Sequence, residues 1–172
     1  MDLLTDMTIR YVLAQVTAGA QVVQLFDSWV GCLSPADYDC YVAPYTRRIF
    51  AALAQTGVPT IHFGTGTAGL LVEMAAAGGD LIGVDWRISL AEAWEQIGFA
   101  RGIQGNLDPA VLLAPEDVMR QRAIGVLQEA AGRPGHIFNL GHGVLPESPR
   151  DHLRRLVEIV HDYRVEVEKN AS

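Results

Sequence analysis

A single histidine, His142, stands between two glycines in the segment FNLGHGVLPES, residues 138–148. An imidazole ring carries two nitrogens that can donate or accept hydrogen bonds. Glycines on both sides free the backbone for a tight turn that presents the ring outward. The segment therefore predicts a histidine placed for binding, although it does not identify the ligand.

A second pattern with chemical meaning is HFGTGTAG, which places Gly64, Gly66 and Gly69 in the G-x-G-x-x-G spacing of dinucleotide sites. Asp85 follows about twenty residues later, where an acidic residue would bind a ribose hydroxyl. A chain with seventeen glycines also contains glycine-rich turns that bind nothing. The spacing alone leaves a nucleotide site and a plain turn as alternatives.

The remaining reactive side chains carry less information. Cys32 and Cys40 have no metal-binding spacing and are expected to be reduced thiols, so no metal site is predicted. His62 lies inside an apolar run and is expected to pack in the core. Trp29, Trp86 and Trp94 could wall a flat ligand, but at least one is expected in the core.

Strands and helices that would position these residues alternate along the sequence. Helical segments separate five short apolar runs, and a first helix near residues 6–19 and a last one near 149–168 flank them. Ser34–Pro35 and Pro115 mark helix starts, and Gly78, Gly98 and Gly132 mark helix ends. The pattern predicts an α/β fold with parallel strands, either an open doubly wound sheet or part of an eight-stranded barrel. The predicted strands are 21–26, 59–63, 81–86, 102–108 and 136–140.

Polar or turn-forming residues follow each predicted strand, which favours the barrel. In a barrel the carboxyl ends of the strands converge on one face, whereas in an open sheet they spread along an edge. For Asn106 and Asp108 a capping or turn role is expected. The strand-end residues are Asp27, Ser28, Gly64, Thr65, Asp85, Trp86, 106–109, Asn139 and His142.

Composition limits the class of protein. The 172 residues are 49% hydrophobic and 19% charged, which predicts one domain spanning residues 1–172. A net charge of −7, with no long basic cluster, argues against nucleic acid as a partner. No apolar run reaches about eighteen residues, and the first ten residues include two acidic ones where a signal peptide would need a basic stretch, so we expect no membrane association and a cytoplasmic location.

Four segments in the same order and spacing resemble the C-terminal half of the uroporphyrinogen decarboxylase family. They are QLFDSWVGCLSPADYDCYVAPYTRRI, GVDWRISLAEA, GIQGNLDPAVLLAP and FNLGHGVLPESP, and the resemblance runs from about residue 22 to 163. It implies a (β/α)8 TIM-type barrel, of which about five strands are present. It also implies removal of carboxyl groups from the acetate side chains of uroporphyrinogen, giving coproporphyrinogen in haem biosynthesis, without metal or organic cofactor and usually as a homodimer.

The resemblance assigns two substrate-binding residues. Ser28 of the F-D-S turn is expected to hydrogen-bond a substrate carboxylate, and His142 of the N-L-G-H-G turn to line the tetrapyrrole cleft. The alternatives are a helix cap for Ser28 and a turn histidine without a ligand for His142. The other motif residues are assigned to barrel packing and loop geometry: Asp85, Trp86, Asn106, Asp108 and Asn139.

The resemblance also exposes a shortfall, because a complete barrel of this type needs about 250 residues. The family's N-terminal half, with its arginine-rich loop, catalytic aspartate and cleft tyrosine, has no match here, so no catalytic residue is identified. The chain is then a fragment or split product, a subunit completed by a complementary half, or a half-barrel that pairs with itself, and association is expected.

Three other functions remain open. The chain could be a catalytically silent protein that only binds or assembles. It could be a relative of the corrinoid methyltransferases, which bind zinc through histidine and cysteine, although no cysteine stands beside His62. The nucleotide-binding module is the third alternative.

Overall fold

Five strands alternate with seven α-helices along residues 1–163, which are the residues that the computed structural model describes. Two 3₁₀ helices, Val30–Cys32 and Pro109–Leu113, follow the first and fourth strands. The strands are β1 (Val23–Asp27), β2 (Thr60–Gly64), β3 (Leu81–Gly83), β4 (Gly102–Leu107) and β5 (His136–Leu140). The helices are α1 (Asp2–Thr17), α2 (Pro35–Tyr41), α3 (Ala43–Ala54), α4 (Leu71–Ala77), α5 (Leu90–Ile97), α6 (Glu116–Ala130) and α7 (Arg150–Asp162).

All five strands are parallel and form one sheet in the order β1-β2-β3-β4-β5. A doubly wound sheet reverses its strand order at a switch point, and no reversal occurs among the strands of residues 1–163. Sequential order is the arrangement of a barrel, so the barrel prediction is confirmed over the open sheet. Within the described part of the chain, β1 pairs only with β2 and β5 only with β4, so both outer strands have a free edge.

The sheet is strongly curved. Gln24 on β1 and Gln104 on β4 join their side-chain amides in a 3.1 Å hydrogen bond, although two strands lie between them. In a flat sheet these strands would stand about 14 Å apart, since neighbouring strands are separated by about 4.8 Å. The side chains therefore meet across the concave face of an arc.

Helices cover the convex face of this arc and enclose the core. Ile82 and Ile103 point outward from β3 and β4 and pack with Leu90 and Trp94 of α5. Trp94 is fully buried, and its indole N–H donates to the carbonyl of Arg101 at 2.8 Å, which confirms one core tryptophan. The concave face carries no helix among the described residues, and Phe26 there is 64% exposed.

Most predicted boundaries are confirmed. Ser34 caps α2 by accepting from the amide of Asp37, and α4 and α5 end at Gly78 and Gly98, where φ is positive. β3 ends at Gly83, three residues earlier than predicted, although the amide of Val84 still donates to the carbonyl of Gln104 on β4 at 2.9 Å.

The two terminal helices differ more from expectation. α1 begins at Asp2 instead of near residue 6, and the hydroxyl of Thr5 donates to the carbonyl of Met1 in its first turn. The part of the last predicted helix beyond residue 163 lies outside the described residues. None of the helices in residues 1–163 has both the length and the apolar character needed to cross a bilayer.

Candidate active site

Ser28 and His142 line the same cavity on the concave face of the sheet. The cavity has a volume of about 450 Å³ and lies at the carboxyl ends of β1, β2 and β5. Its floor and walls are partly apolar, with Phe26 and Phe63 in edge-to-face contact at 5.7 Å between ring centroids. The structure thus brings together two residues that are more than one hundred positions apart in sequence.

Ser28 directly follows β1 and is half-buried. The following 3₁₀ helix has Trp29 at its N-cap position, so Ser28 is not its cap. Within residues 1–163 its hydroxyl has no hydrogen-bond partner, while its carbonyl oxygen accepts from the hydroxyl of Thr65. The side chain is therefore available to a ligand in the cavity.

His142 is exposed on the turn after β5, and no described residue hydrogen-bonds its ring. Neither flanking glycine has a positive φ, so the backbone freedom expected of them is not used. Gly141 is required by space, since a Cβ there would lie 2.6 Å from the backbone nitrogen of Trp86. Its own amide donates to the carbonyl of Leu107 at 2.7 Å, which fixes the turn beneath the imidazole.

Asp85 and Asn106 hold the neighbouring loops together, as the packing assignment predicted. The buried carboxylate of Asp85 accepts from the amides of Gly66 at 2.7 Å and Arg87 at 3.0 Å, and also pairs with the Arg87 guanidinium. Asn106 donates to the carbonyls of Asp85 and Ile88. Because the Gly66 amide already binds Asp85, the glycine pattern here serves loop packing and gives the nucleotide interpretation no support.

The other predicted strand-end residues also have local roles. Asp108 accepts from the amide of Ala110 at 2.9 Å and caps a 3₁₀ helix, as expected. Asn139 lines the cavity and accepts from the amide of Leu140. Trp29 is 89% exposed, and Trp86 stacks under the Arg87 guanidinium at 4.2 Å, so neither lines the cavity of Ser28 and His142.

His62 is fully buried, as predicted, but its ring is also hydrogen-bonded, which the sequence did not reveal. Its Nε2 lies 2.8 Å from Oδ2 of Asp27 and its Nδ1 lies 3.2 Å from the carbonyl oxygen of Met74. Since both ring nitrogens are engaged, His62 offers no ligand for the zinc site of the methyltransferase alternative. The sequence pattern places Asp27 and His62 on the outer face of neighbouring strands. Only the strand register shows that the two residues lie side by side.

Burial shifts the pKa of two other groups near the sheet. It raises the pKa of the Tyr38 phenol, and the negative charge of Asp27 adds to the increase. Burial lowers the pKa of His136 below its ordinary value of 6.5, against a smaller opposite effect of the hydrogen bond to the Gly105 carbonyl. Neither residue lines the cavity.

Metal-binding side chains do not cluster in the described part of the chain. Among residues 1–163 no three histidine, cysteine, aspartate or glutamate side chains come close enough to hold a metal ion. Cys32 and Cys40 are both exposed and form no disulfide.

Comparison of the sequence with known proteins points to one family. Residues 1–163 match the family model described as uroporphyrinogen decarboxylase (URO-D). A protein named uroporphyrinogen decarboxylase from Carboxydothermus hydrogenoformans is 54% identical over 159 residues, which is 92% of this chain and 45% of the relative. Proteins of the same name from Sorangium cellulosum and Thermus thermophilus are 53% and 52% identical, covering 94% of this chain and 46% and 47% of each relative. The chain spans about half the length of these relatives.

Proposed function

Because the chain belongs to the uroporphyrinogen decarboxylase family, we propose that it takes part in removing the acetate carboxyl groups of uroporphyrinogen to give coproporphyrinogen in tetrapyrrole biosynthesis. The observation that carries the proposal is the shared cavity of Ser28 and His142, the two residues that the family motifs assign to substrate. Cys32 and Cys40, both free thiols, are consistent with the reducing cytoplasm in which we place this activity.

The cavity chemistry suits a macrocycle of pyrrole rings with acidic side chains. Phe26, Phe63 and Val144 supply apolar surface for the pyrrole rings. The Ser28 hydroxyl and an N–H of His142 are donors that can orient a carboxylate, and hydrogen bonds to charged groups are stronger than neutral ones.

The described residues supply only part of the chemistry. Decarboxylation requires a protonated pyrrole and stabilisation of the resulting positive charge, and such electrostatic stabilisation is commonly the largest catalytic contribution. Within residues 1–163 the cavity wall contains no aspartate, glutamate, arginine or lysine. We therefore propose that the family's N-terminal half, with its aspartate, arginine loop and tyrosine, completes the site.

The free sheet edges indicate how such a half would join. β1 and β5 each have one unpaired edge within residues 1–163, and parallel barrels close by pairing every edge. α1 adds an exposed apolar stripe of Leu3, Met7 and Tyr11, spaced four residues apart. We propose that a complementary half, from the same protein or another chain, pairs with both edges, and that a second copy is the alternative occupant.

A second candidate function is a silent protein that binds or assembles without catalysis. The uncharged cavity wall favours it for this chain taken alone. The two functions are separated by turnover after a complementary half is added.

An anaerobic decarboxylation assay on uroporphyrinogen tests the proposal, with porphyrins separated by carboxyl number after oxidation. The chain is assayed alone and after joining it to the N-terminal half of the C. hydrogenoformans relative. We expect turnover only in the joined protein, reduced at least about tenfold in kcat/KM by His142→Ala, since one charged hydrogen bond is lost. Gln96→Ala, an exposed change on α5, is the matched control. A folded joined protein without turnover would favour the silent alternative.

A further inference from the structure

We propose that His62 is a positioning residue, which holds Asp27 and thereby fixes the turn that presents Ser28 to the substrate. The inference rests on the proposed function, in which Ser28 binds a substrate carboxylate. His62 itself does not line the cavity, so it acts only through its neighbours.

The contact between His62 and Asp27 joins two adjacent strands at the edge of the site. Asp27 is the last residue of β1 and immediately precedes Ser28. Its Oδ2 lies 2.8 Å from Nε2 of His62, whose side chain is fully buried on the convex side of β2. The contact therefore holds the side chain of the residue from which the chain turns into Ser28.

Hydrogen-bond chemistry makes the contact a strong one. The Met74 carbonyl only accepts, so Nδ1 of His62 must donate to it. Nε2 faces a carboxylate oxygen. Because an unprotonated Nε2 and a carboxylate oxygen are both acceptors, a hydrogen bond between them needs a second proton, carried either by the imidazole or by the carboxyl group. The Asp27 and His62 pair therefore forms a charge-assisted or acid–imidazole hydrogen bond, buried on the histidine side and partly buried on the aspartate side. The hydroxyl of Thr46 approaches the same Oδ2 at 3.5 Å.

A second contact fixes Ser28 from the same strand. Thr65 follows β2 directly, and its hydroxyl donates to the Ser28 carbonyl oxygen. β2 thus holds the residue before the serine through His62 and the serine backbone through Thr65. Two restraints on successive residues leave the Ser28 side chain as the free polar group of the turn.

Packing alone does not account for His62. The site is enclosed, with the Phe50 ring 5.0 Å away, and an apolar residue would fill it without a need for polar partners. Two amides distinguish the two contacts, because glutamine places its nitrogen near the position of Nε2 whereas asparagine reaches only the position of Nδ1. His62→Gln therefore keeps a donor to Asp27, and His62→Asn keeps only the donor to Met74.

The experiment measures kcat and KM for uroporphyrinogen in the joined protein described above. We expect Ser28→Ala to raise KM about tenfold. His62→Gln should keep KM within about threefold, while His62→Asn should raise it about tenfold, with kcat changed less than KM in each. In the double variant of Ser28→Ala and His62→Asn, KM should equal that of Ser28→Ala, because residues acting through one group are not additive.

Thr60→Val is the matched control, since Thr60 is a buried residue of the same strand as His62 and the substitution removes its side-chain hydrogen bond to Asp80. It should lower the Tm and leave KM unchanged. Equal KM values for His62→Gln and His62→Asn would overturn the positioning role while leaving the proposed function intact. The same conclusion would follow if the double variant raised KM by the product of the two single increases. An unchanged KM in Ser28→Ala would overturn the substrate role of Ser28 itself.

If a His62 variant does not fold, substitutions of Asp27 test the same contact from its other side, beginning with Asp27→Asn. Its amide can donate to Nε2 of a neutral His62, so we expect KM within about threefold of the parent, whereas Asp27→Leu should raise KM about tenfold. Equal KM values for these two variants would also reject the proposal.

Discussion

Gly31 packs so closely against Thr65 that a Cβ at Gly31 would overlap the Thr65 carbonyl oxygen and lie 2.7 Å from that of Gly66. The turn after β1 and the turn after β2 therefore touch through backbone atoms. Since backbone cannot yield as a flexible side chain can, the two turns form one rigid unit beside the cavity, which Ser28 lines.

Gly31→Ala should consequently separate these turns. The added methyl group forces a backbone shift, for which we expect about 1–3 kcal/mol of lost stability and an increased KM for uroporphyrinogen in the joined protein. Chemical denaturation and steady-state kinetics measure the two effects.

Gly69→Ala provides the control for this substitution. Gly69 lies between β2 and α4, its φ is not positive, and a Cβ there would meet no atom within 4 Å. A Gly31→Ala protein as stable and active as Gly69→Ala would contradict the close packing.

The hydrogen bond between Gln24 and Gln104 allows the curvature of the sheet to be tested. Each alanine substitution breaks the same contact, so the double-mutant cycle should give a coupling energy of about 0.5–1.5 kcal/mol in the free energy of unfolding. Gln24→Ala combined with Gln96→Ala should be additive, because Gln96 lies on the outer surface of α5. Additivity of both pairs would mean that the arc does not bring β1 and β4 together.

His136 predicts a pH dependence of stability. Because its folded pKa lies below 6.5 while the unfolded chain keeps the ordinary value, the unfolded state binds the proton first as the pH falls. The contribution of neutral His136 to the free energy of unfolding is complete above pH 6.5. It is lost as the pH falls from 6.5 to the lower pKa of the folded state. His136→Gln should reduce the loss of unfolding free energy between about pH 7 and pH 5. An unchanged slope would contradict the burial effect.

Exposed apolar residues on the concave face predict self-association of the chain when no complementary half is present. Phe26→Lys places a charge on that face and should shift sedimentation at micromolar concentration toward the monomer. Val72→Lys, at an exposed position of α4, adds the same charge elsewhere and should not. A monomeric parent chain that melts cooperatively would refute this expectation.

Local sequence patterns were sufficient for the elements but not for their contacts. Apolar runs and caps such as Ser34 and Gly78 predicted strands and helix ends, since these depend on neighbouring residues. β3 was predicted too long because the run 81–86 is mostly apolar, whereas the Asp85 carboxylate accepts from the amide of Arg87 two residues later, which is a turn contact.

Contacts that depend on strand register were missed. The partner of His62, Asp27, lies thirty-five positions away, and only the pairing of Leu25 with His62 places them side by side. The meeting of Ser28 and His142 was anticipated through the family motifs, because the strand-end residues favoured a barrel but did not show which of them share a cavity.

The strand order has a consequence for how the protein forms. Each strand pairs with the next one synthesised, so every new βα unit finds its edge already present when it leaves the ribosome. Pairing between successive units closes shorter chain segments than pairing between distant units would, which lowers the entropic cost of each pairing. A stalled nascent chain from which Leu107 has just emerged should therefore already protect the amides of β2 and β3 from hydrogen exchange. The strands would then join the sheet in the order in which they are synthesised.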